Sequence, residues 1–440
     1  MYGDFSRLTF DPANGYTGVW NQQGRIQLDA DNNELTAIML HWMRTLATDF
    51  IGPAGGHIER AGFKISLDDD DLVLSTGHYY VAGIRCEIPD VDAKGDPNTV
   101  TYSSLRKSGQ DDIPERGPYV VYLQAWESTV NQLLDDRLIE PALGPTSPDT
   151  TIRTKMSWTL GFITEPFEAV PPATLAEVVT EHFAKLNSPV GPRLRAQVAE
   201  DGNVADPDEA ATLSGYSGLE NQLYRIEVHR GSDVKNGPTF KWSRDNGCVQ
   251  FGIANYEVLP DNGIRVTLSG APLPGRPRLA IGDCVEVIDQ SWRPFGEPGP
   301  LCTVMEVRGP DAAAGSDDKL DAANNPAVLR RWDSVPEKGN GLPVKVSKDR
   351  EDPWTDIENG IQIQFTASDD AVFGRGDFWL IPARAATSQI YGPTAAPEGA
   401  GSVAFGPQRH FAPLAQVDGA NITDLRSLFT HLAWPDSPGG

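Results

Sequence analysis

Cysteine and histidine are scarce in this chain, with 4 and 7 among 440 residues. Cys86, Cys248, Cys284 and Cys302 stand far apart and form no CxxC pair, which excludes a disulfide framework and points to buried free thiols. His41, His57, His78, His182, His229, His410 and His431 show no HxH, HxxxH or HExxH spacing, so no zinc motif is present. No apolar run approaches the roughly 18–20 residues that span a bilayer. The opening MYGDFSRLTF lacks a basic stretch followed by an apolar core, so no signal peptide is expected. Basic charge is in deficit too. Lys and Arg number 37 against 61 Asp and Glu, a net charge of -24. Nucleic acid is thereby disfavoured as a partner, because affinity for it rests on cations reaching phosphates. Gly52 to Gly56 is followed by no Gly-Lys-Ser/Thr and is not a phosphate loop.

Turn residues are plentiful, with 43 Gly and 35 Pro. Between them lie many short runs of alternating apolar character, which read as strands. The fold class expected is mainly β with minor α, built of several small mixed antiparallel β domains. The most informative block is 215–249, two strands joined by a polar turn, with Tyr224, Ile226 and Val228 alternating with charges as on a half-exposed strand. Tyr119 to Trp126 reads as a buried strand, Thr154 to Phe162 as another, and Phe378 to Ile381 as one ended by Pro382.

Two amphipathic helices are expected. The first carries Leu35, Ile38, Met39, Trp42, Leu46 and Phe50 at spacings of three and four, with Asp31 and Glu34 as a capping box and Gly52-Pro53 as its stop. The second covers about 175–187. The expected organisation is an aromatic arm and helix over 1–60 and a mixed β domain over 61–187. A linker or loop over 188–214 leads to a β-rich central domain over 215–310. A β continuation with an exposed insertion at 311–326 fills 311–384, and a C-terminal arm and closing segment fill 385–440.

Chemistry is hard to find. Asp29, Asp31, Asn33 and Glu34 faintly match a calcium loop, but Glu34 and Leu40 stand where such a loop needs Gly and Glu. These acids fit a helix N-terminus better. The run Asp68 to Asp71 reads as a solvated turn. Arg375-Gly376-Asp377 reads as a turn leading into a strand rather than as a recognition tripeptide. No catalytic, cofactor-binding or metal-ligating residue is assigned. The candidate assembly and framework residues are Phe5, Phe10, Tyr16 and Trp20 in the arm, Trp42 on the helix, and Trp242, Arg244, Trp379 and Arg384 in the strands. Lys241, Arg244 and Arg384, beside tryptophans, suit ring stacking or carboxylate clamping. Asn221 and Gln222 suit a buried hydrogen-bond network. Trp292, Trp332 and Trp354 are the candidate aromatic platforms of a binding module.

Long blocks of this sequence resemble the DUF6519 family. They are FSRLTFDPANGYTGVWNQQGRIQLDADNNE at the start, YVVYLQAWE at 119–127, LENQLYRIEVH at 219–229 and TFKWSRDNG at 239–247. Near the end GDFWLIPAR, FGPQRHFAPLA and ITDLRSLF complete the pattern. One departure is Asn32, where the family pattern has Trp. The resemblance implies a structural subunit of a phage-tail-like contractile injection system, at the baseplate or its periphery. Such a subunit would be assembled in the cytoplasm and freed by lysis. Its partners would be copies of itself, in a trimer or sixfold ring, and other tail proteins. The alternatives are a receptor- or glycan-binding fibre module and a glycan-cleaving tail protein.

Overall fold

A computed structural model describes residues 1–164 apart from 70, 93, 107–111, 116 and 144–149. It further describes 179, 182–183 and 191–199, and residues 215–430 apart from 233–236, 260–262, 270–277, 290–297, 316–325, 335–340, 348–352, 370 and 396–398. The chain is mainly β, with several separate sheets and one long helix, Asp29–Ile51. Of the helix expected over 175–187, only Val179, His182 and Phe183 are among the described residues, and all three are helical. No helix among the described residues is long and apolar enough to cross a membrane.

Three bodies of sheet make the molecule. The first centres on the strand Tyr119–Val130, which lies between Arg153–Ile163 and Arg409–Asp418. Alternation explains its apolar run. Tyr119, Val121, Leu123 and Ala125 face one core with Phe63, Leu72, Tyr79 and Leu414, while Val120 and Tyr122 face Ile163 and Val179 behind. A further sheet sets Ala54–His57 between Gly77–Val81 and the parallel strand Leu428–Phe429. The closing segment of the chain thus completes two sheets of its beginning.

The second body is a sandwich. Its central sheet runs Leu342–Pro343, Thr239–Ser243, Gln222–Arg230, Phe378–Arg384, Gln389–Ile390. Tyr224, Ile226, Val228, Trp242, Trp379 and Ile381 pack across the interface on Leu194, Ile363 and Phe365 of the facing sheet. The strand 378–384 continues through Pro382, which pairs with Leu223, rather than stopping before it. The Pro382 carbonyl accepts from Tyr391 N–H at 2.8 Å, so this residue's hydrogen-bonding side faces the short edge hairpin. A missing N–H is tolerated there.

The third body is a closed six-stranded barrel, in the order Gln250–Leu259, Gly263–Leu268, Asp311–Gly315, Leu301–Arg308, Cys284–Asp289 and Pro326–Trp332. Residues 311–315, expected in an exposed insertion, form one of its strands, with Ala312, Ala313 and Ala314 buried. The small barrel interior takes alanine beside Val266, Val285 and Val304, a fit that intrinsic strand preference does not reveal. Residues 316–325 lie outside the described residues.

A candidate interaction face

The helix Asp29–Ile51 begins two residues before the expected cap. Leu28 occupies the N-cap position in extended conformation, and its side chain makes no capping bond. Of the two acids read as a capping box, Asp31 and Glu34, Glu34 instead holds the N-terminal arm, together with Asp29. Ser6 N–H donates to Asp29 Oδ2 at 2.9 Å, and the Thr9 hydroxyl donates to Glu34 Oε2 at 2.6 Å. Burial would raise the Asp29 carboxyl, but the bonds from Ser6 outweigh it and hold it below its usual range. These partners lie some twenty residues upstream, beyond any local sequence signal.

The helix touches its own chain along one narrow side. Ala30 and Ile38 are buried, and Arg44 Nη2 meets Glu127 Oε1 at 2.7 Å. Gly83, at φ 73°, lies directly under the helix, and a Cβ there would come within 2.3 Å of the Arg44 carbonyl oxygen. At 3.6 residues per turn the stripe of Met39, Trp42, Met43, Leu46 and Phe50 points away from that contact. Each of these five side chains is between 55% and 69% exposed. The helix is therefore apolar on the side that the described residues leave uncovered.

The N-terminal arm divides in two. Its first ten residues are wedged into the chain. Phe5 and Leu8 pack on Leu223, Phe378 and Leu380, and the Phe10 ring lies 5.6 Å from His41. Residues 20–29 are all exposed, with Trp20 at 91% and Ile26 at 86%. Tyr16 is also exposed. Tyr16, Trp20 and Trp42 thus lie at the surface, while Phe5 and Phe10 lie against the protein's own strands and helix.

The remaining candidates are framework. Trp379 is fully buried, and its indole N–H donates to the Ser402 carbonyl at 2.9 Å; Trp242 is buried in the same core. Arg244 clamps Glu358 at 2.8 Å, and its backbone N–H donates to Asp333 Oδ2 at 2.9 Å. Arg384 ties the carbonyls of Gln222, Ala383 and Ser6 together, at 3.4, 2.8 and 2.6 Å. Asn221 Oδ1 accepts from Ala385 N–H, whereas the Gln222 side-chain oxygen is buried with no hydrogen-bond partner among the described residues. Cys86, Cys284 and Cys302 are buried thiols, and Cys248 is half-buried. Burial pushes the Cys86 and Cys284 thiols up to about 12.

Of the platform candidates, Trp332 is buried and donates its indole N–H to Glu286 Oε2 at 2.8 Å, so it offers no surface. Trp354 is half-buried, with the Arg195 guanidinium 5.7 Å from its ring centroid, and Trp292 lies outside the described residues. The Arg-Gly-Asp tripeptide forms a turn before the strand 378–384, and the Asp377 carboxylate accepts from Gly374 N–H at 2.9 Å.

One charged network escapes sequence reading. The strand 222–230 is not half-exposed, because Arg225 and Glu227 on its second face are buried as deeply as Ile226. Arg225 Nε meets Glu227 Oε2 at 2.6 Å, and Tyr2 Oη donates to the same oxygen at 2.8 Å. The Arg225 guanidinium is 3.6 Å from the Phe378 ring centroid and 4.0 Å from that of Tyr2. Lys241 Nζ lies 3.3 Å from Glu227 and 3.1 Å from Glu286. Lys241 is therefore not a partner of adjacent Trp242 but of the barrel, where Trp332 lies 4.3 Å beneath its ammonium. Burial would raise both carboxyls. For Glu227 the charges of Arg225 and Lys241 outweigh it, and for Glu286 those of Lys241 and Arg330 do, so both stay ionised. The network bolts the sandwich to the barrel. Beside it lies a cavity of about 320 Å³ at the junction of all three bodies. Charged groups lining it are engaged with one another, Arg44 with Glu127 and Arg330 with Glu286.

No curated protein and no solved structure matches the chain. A model for a family of unknown function, DUF6519, matches residues 1–180 and 174–424, and the chain belongs to that family.

Proposed function

We propose that this protein is a structural subunit of a phage-tail-like contractile injection particle. In this reading it sits at the baseplate or its periphery and works as a symmetric oligomer among other tail proteins. The observation that carries the assembly role is the apolar stripe Met39–Phe50, together with the exposed segment 20–29 that leads into the same helix. Large apolar groups held on a rigid helix, with their own chain on the opposite side, are suited to a partner surface. The strands behind that face supply rigidity, with aromatic cores and a paired charge network joining the bodies. The placement in an injection particle rests on the resemblance of the sequence blocks.

The test is electron microscopy of particles purified from the producing bacterium, with the chain identified by a C-terminal tag and by mass spectrometry. Stoichiometric density at the baseplate or its rim is the expected result. Intact, functional particles that lack the chain would refute the reading. Density only at a fibre tip would favour a receptor-binding module instead.

A further inference from the structure

We propose that the helix Asp29–Ile51 is the pairing element of a homo-oligomer, its stripe seated on the same stripe of a second copy. The proposal rests on the reading of this face as an assembly surface, and it names the partner. Three observations select a second copy.

The first is spacing. Met39, Met43, Leu46 and Phe50 follow one another by four, three and four residues, the repeat of a seam on which helix packs against helix. Trp42 flanks the seam, and Thr36 continues it toward the N-terminus. Such a stripe is self-complementary about a two-fold axis.

The second is charge. The molecule carries a net charge of -24, so copies repel across most approaches. From Leu35 to Thr48 the helix has no acidic residue, and its one basic residue, Arg44, is paired with Glu127 of its own chain. A basic partner would be held by carboxylates around the stripe. An acidic twin needs a stripe poor in them, and from Met39 to Leu46 that is what the helix presents, with one exposed carboxylate, Asp49, beside Phe50 at its C-terminal end.

The third is area. Five large side chains, each more than half exposed, present roughly 600 Å² per copy, or about 1,200 Å² for two, which reaches the size of a stable interface.

The experiment uses the full chain. Sedimentation equilibrium at micromolar concentration should give a dimer or a multiple of it. Leu46→Glu should weaken association about 100-fold, since it sets two charges in the seam. Its melting temperature should stay that of the dissociated wild type, because the position is exposed. In a Cys248→Ser background, Met43→Cys should form a covalent dimer with a short bis-maleimide linker. Ser368→Cys, on an exposed loop, should not. A monomeric wild type overturns the proposal, whether the stripe is then free or shielded by another part of this chain. So does an oligomer that survives Leu46→Glu and that the linker fails to join in the Met43→Cys variant. The outcome is separable from that of the functional reading: a chain found in particles but unpaired through this helix defeats only the pairing, and a helix-paired chain absent from particles defeats only the placement.

Discussion

His229 shows how one side chain can set a response to acid. It sits at 5% exposure on the strand 222–230, and neither ring nitrogen has a hydrogen-bond partner among the described residues. Burial pushes its pKa well below 6.5; the charges of Lys241, Arg230 and Arg375 push the same way, and Glu227 opposes them. The imidazole is therefore neutral in the fold. Below about pH 6.5 the unfolded chain takes up a proton that the folded chain refuses, so stability falls as pH falls. His229→Leu removes this difference. Denaturant melts at pH 7.5 and 5.5 should show wild type losing more stability between the two values than the variant. Equal losses would mean that the ring titrates normally. Sequence reading reaches such a residue only in part. Alternation along Tyr224, Ile226 and Val228 reveals the core face. The burial of Arg225 and Glu227 opposite is invisible, because it is created by Tyr2 and by a barrel strand far along the chain.

At the scale of elements, the long helix is the most legible feature and also the most misleading. Its periodicity and its stop at Gly52-Pro53 identify it correctly, but a stripe at spacing three and four reads equally as core or as interface. Only the placement of Ala30, Ile38 and Arg44 on the opposite side decides that the stripe faces outward. That placement depends on Gly83. Gly83→Val adds a side chain where backbone already stands, at a φ that β-branched residues avoid. It should lift the helix from the hairpin turn while the cores survive. Limited proteolysis would report this as new cleavage within 29–51, with the strand 119–130 still protected. Unchanged protection of the helix would show that it is held mainly by its N-terminal arm. Short strands such as Ile84–Ile88 are legible from alternation alone, whereas the alanine strand 311–315 is not, since its reason to exist is the curvature of a small barrel.

At the scale of the molecule, the strand Arg409–Asp418 is the piece that closes the fold. It pairs with 119–130 along nearly its whole length, from Arg409 beside Trp126 to Val417 beside Tyr119. Ala412, Leu414, Ala415 and Val417 are part of the first core. A chain ended after Gln408 should therefore lose the cooperative melting of the first body, even though every residue from 54 to 163 is retained. Circular dichroism melts, with proteolysis mapped across 119–130, would check it. A shortened chain that melts like the full one would mean that this body stands without its last strand.

The same pairing imposes a schedule on synthesis. At about 5–20 residues per second, the ribosome needs roughly 15 to 60 seconds to travel from Val130 to Arg409. Once Arg153–Ile163 has been made, and until Arg409 is reached, the strand Tyr119–Val130 has one neighbour and one open edge, and Ala412, Leu414, Ala415 and Val417 of its core have not been made. Closing a loop of this span carries an entropic cost that only the finished strand offsets. The nascent chain is thus most exposed to edge-to-edge association in the middle of translation. Its dependence on chaperones should be set by how long the message takes to read rather than by the stability of the finished protein.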